Sequence, residues 1–275
     1  MVARLVELYG YRELIENLVI RDLKVRYKNS VLGFLWSLVN PLLLMLVFTT
    51  VFTVMLPNWQ VPNFPVFILC ALLPWNFFSA SLMGSIHSIS GNGHLIKKVY
   101  FPAEILTIST VISNLVNLLL ALPVLFVFMI LFGVPLTMSL LYLPLIIVVQ
   151  VAFTLGIAFI LATMNVFYRD TGMIMDVMLQ AWFFVTPIFY PIEILPEWAM
   201  VLNLALPVRR LVYILNPMAS IIASYRSVLY GFPDGSPPTA PALDFFMRTA
   251  VTALLCLAAG YLFFSRFSRR FAEEV

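Results

Sequence analysis

Two long stretches without Asp, Glu, Lys or Arg constrain this chain more than any other feature. They cover residues 29–96 and 105–168, which is 68 and 64 residues. A charged side chain at the centre of a membrane-spanning helix costs about 2.5–3.5 kcal/mol, and one span needs only about 20 apolar residues. Each stretch therefore predicts two membrane-spanning helices.

The composition of the 275-residue chain agrees with a membrane environment. Hydrophobic residues make up 62% of the sequence and charged residues 11%, whereas soluble domains average about 25% charged residues. An ordinary soluble domain is excluded. The net charge of +3 suits the basic cytoplasmic loops of a membrane protein, so no nucleic-acid partner is expected.

Proline and glycine divide the apolar stretches into helix-sized pieces. Breaks at 57–65 and 133–135, with two further apolar runs near the C-terminus, predict an all-α membrane protein with six spans. We place the spans at 33–56, 64–86, 105–132, 140–164, 174–191 and 245–264. The whole chain, 1–275, is then a single transmembrane domain with both termini on one side.

The distribution of Lys and Arg predicts the orientation. Of the 16 basic residues, 12 lie in the N-terminal segment, the 87–104 and 165–173 loops and the C-terminal tail, and four lie on the other side. Short cytoplasmic loops are enriched in Lys and Arg. Both termini are therefore expected to be cytoplasmic.

Two segments outside the spans have apolar patterns of their own. Residues 1–30 predict an amphipathic helix in the cytoplasmic interface, with an apolar stripe of Leu8, Tyr11, Ile15, Leu18 and Val25. The 192–244 region contains apolar pieces at 194–206 and 217–230 that are too short to span. We predict that they are two short outer-side helices in a re-entrant region, shielded by protein.

Motifs of catalysis and cofactor binding are absent from the sequence. There is no GxxxxGK[ST] motif to hold ATP phosphates, and no HExxH, CxxC or GxSxG motif. The two histidines, His87 and His94, lie near the cytoplasmic end of the second predicted span, where a solvated role is more typical than metal binding. We expect no metal and no cofactor in this chain.

A dense basic run precedes the first span. Two interpretations of this run are open. Its charge determines the membrane topology and attracts anionic lipid headgroups, or it forms a binding site for a diphosphate. The candidates for diphosphate binding are Arg21, Lys24 and Arg26. Helical spacing places Arg21 and Lys24 on one face and Arg26 about 200° from Lys24, so we favour the first two and expect Arg26 to serve topology or an acidic neighbour.

Aromatic residues crowd near the predicted span ends. They form an interfacial belt and core packing, or some of them line a pathway and stack on sugar faces. The candidate channel aromatics are Trp36, Phe48, Phe52, Trp75, Phe77, Phe78, Trp182, Phe183, Phe184 and Tyr190. Periodicity alone does not separate the two interpretations.

Several stretches, in order over nearly the whole chain, carry a family resemblance. They are residues 18–28 (LVIRDLKVRYK), 30–36 (SVLGFLW) with Asn40-Pro41, 74–79 (PWNFFS), 95–102 (LIKKVYFP), 165–170 (NVFYRD), 186–191 (TPIFYP), 215–218 (LNPM) and 224–226 (SYR). The chain resembles the permease subunit of type-2 ATP-binding-cassette exporters of cell-surface polysaccharide, such as O-antigen and teichoic-acid export permeases. It departs from the pattern at Asn165, where an acidic residue is expected.

The resemblance implies a transport subunit of the cytoplasmic (inner) membrane rather than an enzyme. It implies a homodimer with two separate ATPase subunits, which bind ATP and Mg. The implied substrate is a polysaccharide on a polyprenyl-diphosphate lipid, for example in lipopolysaccharide biosynthesis, exported through a channel between the two permeases. The N-terminal helix and the 87–101 loop would contact the ATPase, with His94, Lys97, Lys98 and Tyr100 as candidate coupling residues.

Two alternatives remain at this point. One is an exporter of drugs or other lipids with the same fold. The other is a membrane-embedded glycosyl- or phosphoglycosyltransferase, which is disfavoured because the acidic residues needed to bind a metal-diphosphate are scattered along the chain.

Overall fold

The structure is a computed structural model, and it describes residues 10–28, 36–55, 61–98, 101–201 and 204–274. This part of the chain is predominantly helical, which confirms the prediction of an all-α membrane protein. The helices are α1 (Arg12–Tyr27), α2 (Trp36–Thr49), α3 (Phe64–Ile86), α4 (Gly93–Lys98), α5 (Glu104–Leu131), α6 (Leu143–Phe167), α7 (Thr171–Val185), α8 (Val208–Leu215), α9 (Pro217–Leu229), α10 (Leu243–Phe267) and α11 (Phe271–Glu274). A π-helical segment, Thr50–Met55, extends α2.

Five segments of the described chain are long and apolar enough to cross a membrane. They are Leu38–Met55, Phe64–Ile86, Glu104–Leu131, Met138–Phe167 and Leu243–Arg270.

The remaining predicted span, 174–191, corresponds to α7, a helix of 15 residues. At 1.5 Å per residue α7 is about 22 Å long, less than the roughly 30 Å of a bilayer core. It ends at Val185 because Thr186 precedes a proline and adopts an extended backbone, with φ −86° and ψ 134°. The count of six spans therefore stays a prediction.

Both terminal segments lie at the same end of the helical bundle, which we name the terminal end. Leu18 of α1 packs against Ile105 and Leu106 at the start of α5. Phe271 of α11 belongs to the same apolar cluster as Ile89, which follows α3. This placement agrees with an even number of passes through the bundle.

The apolar stripe of α1 is shorter than the sequence pattern predicts. Tyr11, Ile15 and Leu18 pack in the cluster at the start of α5, but Val25 is 69% exposed. Leu8 lies outside the described residues. The packed face of α1 therefore ends near Leu18, and the last turns of the helix continue past α5 without an apolar contact at Val25.

Helix α3 is the centre of the bundle and packs against α2, α5, α6, α7 and α9. A buried amide links three of these helices. Gln150 of α6 donates from Nε2 to the carbonyl oxygen of Pro74 in α3 at 2.8 Å, and its Oε1 accepts from the Tyr225 hydroxyl of α9 at 2.7 Å. Both ends of the buried amide are thus hydrogen-bonded, as burial requires.

Helices α6 and α10 approach each other closely at two glycines. A Cβ on Gly260 would lie 2.0 Å from the carbonyl oxygen of Gly156, and a Cβ on Gly156 would lie 2.6 Å from the backbone of Cys256. Small residues allow helix backbones to pack in contact inside membranes. This crossing fixes α10 against the bundle.

The helix predicted at 194–206 is wrong. The structure has an antiparallel hairpin there, β1 (Trp198–Val201) and β2 (Leu204–Pro207), with Trp198 paired to Pro207. Pro196 and Pro207 bracket the segment, and each disfavours helical backbone at or just before its own position. The two short helices are instead α8 and α9, and α9 coincides with the apolar piece predicted at 217–230.

Candidate functional site: a polar cleft among the spans

A cleft of about 560 Å³ opens between α1, α2, α3 and α5, and we name it the polar cleft. Its lining consists of Arg26, Trp36, Asn40, Pro41, Leu73, Asn76, Phe77, Ser79, Ala80, Met83, Asn114, Asn117, Leu118 and Ala121. The volume lies within the range of about 300–1,000 Å³ that is typical of small-molecule sites. Four asparagines among apolar helices distinguish it from a lipid-filled groove.

Helical periodicity explains why these residues share one cleft. On α3, Asn76, Ala80 and Met83 follow at steps of four and three residues, and on α5 Asn114 and Asn117 are three residues apart. Residues three and four apart lie on the same helix face. Each helix thus turns one face toward the cleft, and the small side chain of Ala80 leaves the space open.

The cleft extends from the terminal end into the bundle. Asn114 and Asn117 lie about 15–20 Å along the axis from Glu104, the first residue of α5, at 1.5 Å per residue. At that depth a polar side chain is costly, and polar residues within spans typically mark a substrate path. The four amides therefore favour a functional interpretation of the cleft over a purely structural one.

Arg26 supplies the charge of the cleft. Its Nη1 donates to Asn114 Oδ1 at 2.9 Å, and Nε and Nη2 have no hydrogen-bond partner among the described residues. No Asp or Glu occurs among the described lining residues. The guanidinium therefore has donors left for an anion, and its planar fork suits the oxygens of a phosphate.

The structure places the other two candidate cations elsewhere. Arg21 donates to Asp22 Oδ1 from Nη2 at 3.0 Å and to Asn92 Oδ1 from Nη1 at 3.3 Å, so a carboxylate already neutralises its charge. Lys24 is exposed and does not line the cleft. Of the three cations, the structure brings only Arg26 to the polar cleft, which reverses the order that helical spacing favoured.

Two of the ten candidate channel aromatics line the polar cleft. Trp36 lies there with 51% of its surface exposed, and Phe77 lies there largely buried. Trp75 and Phe78 belong to the core instead, where the Phe78 ring packs 5.7 Å from Phe153 between centroids. In a single chain of this conformation, neither core ring offers a face to a substrate.

A second aromatic group lies beyond the cleft. Phe48 and Phe52 pack on Phe189, with centroids 5.8 and 5.6 Å away, and Phe183 lies 6.1 Å from Phe48. Phe184, the next residue along α7, is 56% exposed. Core packing thus accounts for Phe48, Phe52 and Phe183, whereas the Phe184 ring is available on the bundle surface.

The remaining aromatic candidates hold the segment after α7 in place. Trp182 donates from its indole nitrogen to Asn216 Oδ1 at 2.8 Å, and Asn216 donates from Nδ2 to Thr186 Oγ1 at 2.8 Å. Tyr190 donates its hydroxyl to the carbonyl oxygen of Val185 at 3.3 Å. Trp182 and Tyr190 therefore have structural partners.

A buried arginine fixes the same segment from α9. Arg226 donates from Nη1 to the carbonyl oxygen of Pro187 at 2.6 Å and from Nη2 to that of Ile188, and its guanidinium carbon lies 3.6 Å from the centroid of Phe67. Burial lowers the pKa of Arg226 to about 10, which still leaves it charged at neutral pH. The motifs at 186–191 and 224–226 thus form one structural unit.

The loop proposed to contact the ATPase forms a short helix at the terminal end. His94 and Lys97 lie on α4 and are exposed, the Lys98 side chain is not described, and Tyr100 lies outside the described residues. Asn165 supports the start of this loop, because its Nδ2 donates to the carbonyl oxygen of Ile86 at 2.9 Å and to Ser90 Oγ at 3.1 Å. An acidic residue at position 165 could not donate these bonds.

The four cleft asparagines were not singled out by sequence reasoning. Asn40 and Asn76 occur in recognised stretches, and Asn114 and Asn117 interrupt the second charge-free stretch three residues apart. A polar residue within a predicted span is itself a signal. That signal identifies candidates but does not show that four amides from three helices meet.

Comparisons with known proteins agree with the membrane fold and its motifs. Residues 13–230 match the family model described as ABC-2 type transporter. The chain is similar to the O-antigen export system permease protein RfbA of Myxococcus xanthus, with 39% identity over 100% of both chains. It is also similar to an O-antigen export system permease protein RfbA of Klebsiella pneumoniae, with 32% identity over 92% of this chain and 91% of the relative. The chain therefore belongs to the ABC-2 type transporter family, as a membrane transport component rather than an enzyme.

Proposed function

We propose that this chain is the membrane subunit of an ATP-driven exporter that moves an O-antigen-type polysaccharide out of the cytoplasm. The observation that carries the proposal is the similarity, over its whole length, to an O-antigen export system permease. The sequence has no P-loop, so a separate ATP-binding-cassette subunit supplies the energy. That subunit, and not this chain, holds ATP and Mg.

The polar cleft supports a lipid-linked diphosphate as the form in which the glycan is carried. Phosphate oxygens that leave the headgroup layer lose hydration and need a fixed cation in the low-dielectric interior. Arg26 is an exposed cation that lines the cleft and is held by a hydrogen bond to Asn114. The diphosphate is therefore proposed to bind Arg26, with Asn114 positioning the guanidinium.

The complete exporter is proposed to be a homodimer of this chain with two ATPase subunits, in the cytoplasmic membrane. The exposed face of α4, with His94 and Lys97, is the proposed ATPase contact at the terminal end. The glycan would pass between the two copies, where the exposed ring of Phe184 is a candidate wall residue. No feature of the described residues specifically favours the alternative of an exporter of drugs or other lipids.

The proposed orientation places the terminal end in the cytoplasm, because 12 of the 16 basic residues belong to that end. Single cysteines at Ser236 and Arg270, in a chain lacking Cys70 and Cys256, test it with an impermeant thiol reagent on intact cells. Labelling at position 236 and protection at position 270 are expected. The reverse pattern would contradict the orientation.

Inactivation of the gene in its host tests the proposed function. We expect surface polysaccharide to disappear and lipid-linked glycan to accumulate inside the cell, since the polymer is made but not exported. The wild-type chain should restore export only when the partner ATPase is able to hydrolyse ATP. Normal surface polysaccharide in the inactivated strain, with no glycan accumulating, would refute the proposal.

A further inference from the structure

We propose that the polar cleft recognises the sugar residue bonded directly to the carrier diphosphate, so that it distinguishes a glycan-loaded carrier from a bare one. The inference rests on the proposed function and deepens it. It assigns a ligand to Asn40, Asn76 and Trp36, for which diphosphate binding by Arg26 gives no reason.

Two of the cleft amides, Asn40 and Asn76, have no side-chain partner within the described part of the chain. Neither Asn40 nor Asn76 makes a side-chain hydrogen bond to any residue that the structure describes, and both line the cleft. Asn40 is exposed and Asn76 is partly buried, so both amides are open to a ligand in the cleft. Each amide offers two donors and an acceptor. Neighbouring hydroxyls of a sugar ring donate and accept together, so they match such amides, whereas an alkyl chain does not.

An aromatic ring lies beside these amides. Trp36 and Asn40 are four residues apart on α2, hence on one helix face, and the indole is about half exposed. An indole provides a large apolar surface with a polar edge. The C–H face of a pyranose can rest on this ring while its hydroxyls reach the amides, which is an arrangement that a diphosphate alone would not use.

Arg26 fixes which sugar occupies the cleft. It is the cationic residue among the described lining residues, and its hydrogen bond to Asn114 ties it to the wall of the cleft. A diphosphate held by this guanidinium has the first sugar covalently attached. That sugar therefore lies within the same cleft, and no later residue of the polymer is as close to Arg26.

Recognition of the first sugar has a consequence for transport. A bare polyprenyl diphosphate would bind Arg26 but make no hydrogen bond to either amide, so it would bind less well than a loaded carrier that makes these bonds. The exporter would then select loaded carriers by the sugar nearest the lipid, independently of the length of the polymer.

Equilibrium binding to the full transporter in lipid nanodiscs tests the inference. The probes are bare polyprenyl diphosphate and the same lipid bearing a single glucose, galactose or N-acetylglucosamine. The wild-type transporter should bind at least one loaded probe more tightly than the bare lipid, by about threefold to tenfold for each amide engaged. The variant with Asn40→Leu and Asn76→Leu, which keeps side-chain volume, should lose this preference and retain its affinity for the bare lipid.

Matched variants separate the possible outcomes. Asn17→Leu removes an exposed amide of α1 outside the cleft and should leave the preference unchanged. Equal binding of all probes by the wild type overturns the inference but leaves the proposed function standing. Equal weakening of bare and loaded probes in the double variant also overturns it, because the amides would then support binding of the carrier in general and not recognition of its sugar. Failure of the wild type to bind any probe overturns the inference together with the proposed diphosphate site.

Discussion

Replacement of Arg26 by glutamine is the sharpest perturbation of the polar cleft. Glutamine keeps a polar side chain, but it removes the positive charge and the planar fork of donors, including the Nη1 that donates to Asn114. The same replacement at Arg21 is the matched control. Arg21 lies on the same helix, but it already pairs with Asp22 at 3.0 Å and does not line the cleft.

The expected magnitudes differ widely between the two sites. A hydrogen bond to a charged group contributes about 1.5–3 kcal/mol, so Arg26→Gln should weaken binding of polyprenyl diphosphate by about 10-fold to 150-fold. An exposed ion pair contributes about 0–1 kcal/mol, so Arg21→Gln should change the affinity by less than about fivefold. Arg26→Lys should be intermediate, since the ammonium keeps the charge without the bidentate geometry.

The assay is equilibrium binding of polyprenyl diphosphate to the transporter in nanodiscs, with surface polysaccharide measured in cells at matched membrane abundance. Low ionic strength should be avoided, because it exaggerates the effect of exposed charges. Equal losses of affinity for Arg26→Gln and Arg21→Gln would refute the reasoning. In that case the basic run acts through its total charge, as a topology and lipid-surface signal.

Three further predictions concern the packing of the helices in the bundle and the contact with the partner ATPase. Gly260→Ala should lower the thermal unfolding midpoint, because overpacking at the α6–α10 crossing costs about 1–3 kcal/mol. Gly91→Ala is the control and should leave the midpoint unchanged, because its Cβ would meet nothing within 4 Å. Equal midpoints for the two variants would contradict the close crossing. Lys97→Glu should reduce ATP hydrolysis by the assembled transporter without reducing its membrane abundance, and unchanged hydrolysis would remove Lys97 from the ATPase contact. Gln150→Leu should also destabilise the bundle, by about 1–3 kcal/mol, because the buried Tyr225 hydroxyl loses its acceptor; wild-type stability would contradict the role of this amide.

The membrane-spanning helices could largely be predicted from the sequence, because the cost of burying a charge acts on each segment independently of the others. Four of the five long spans follow from the two charge-free stretches and their proline and glycine breaks, and the fifth follows from the separate apolar run at 245–264. The segment after α7 could not be predicted as reliably. Its backbone depends on hydrogen bonds from Asn216 to Thr186 and from Arg226 to Pro187, residues that meet only in the folded chain.

The candidate site was less accessible to prediction than the fold. Helical periodicity places Arg26 on a different face of α1 from Lys24, but it does not say which face meets the cleft. That depends on Asn114, 88 residues further along the chain, and on Asp22, which pairs with Arg21. The alternatives for the aromatic residues likewise needed tertiary contacts, which assign Phe78 to the core and Trp36 to the cleft.

Photocrosslinking from the cleft tests most directly whether the export substrate passes through it. A photoreactive amino acid replaces Ala80, which lines the polar cleft, or Val148, which is 63% exposed on the outer face of α6. The cells carry an ATPase partner that assembles but cannot hydrolyse ATP, so that loaded carriers are retained. A crosslink to lipid-linked glycan is expected at position 80 and not at position 148. Glycan crosslinks of equal yield at both positions, or none at position 80, would contradict the assignment of the cleft as the substrate site.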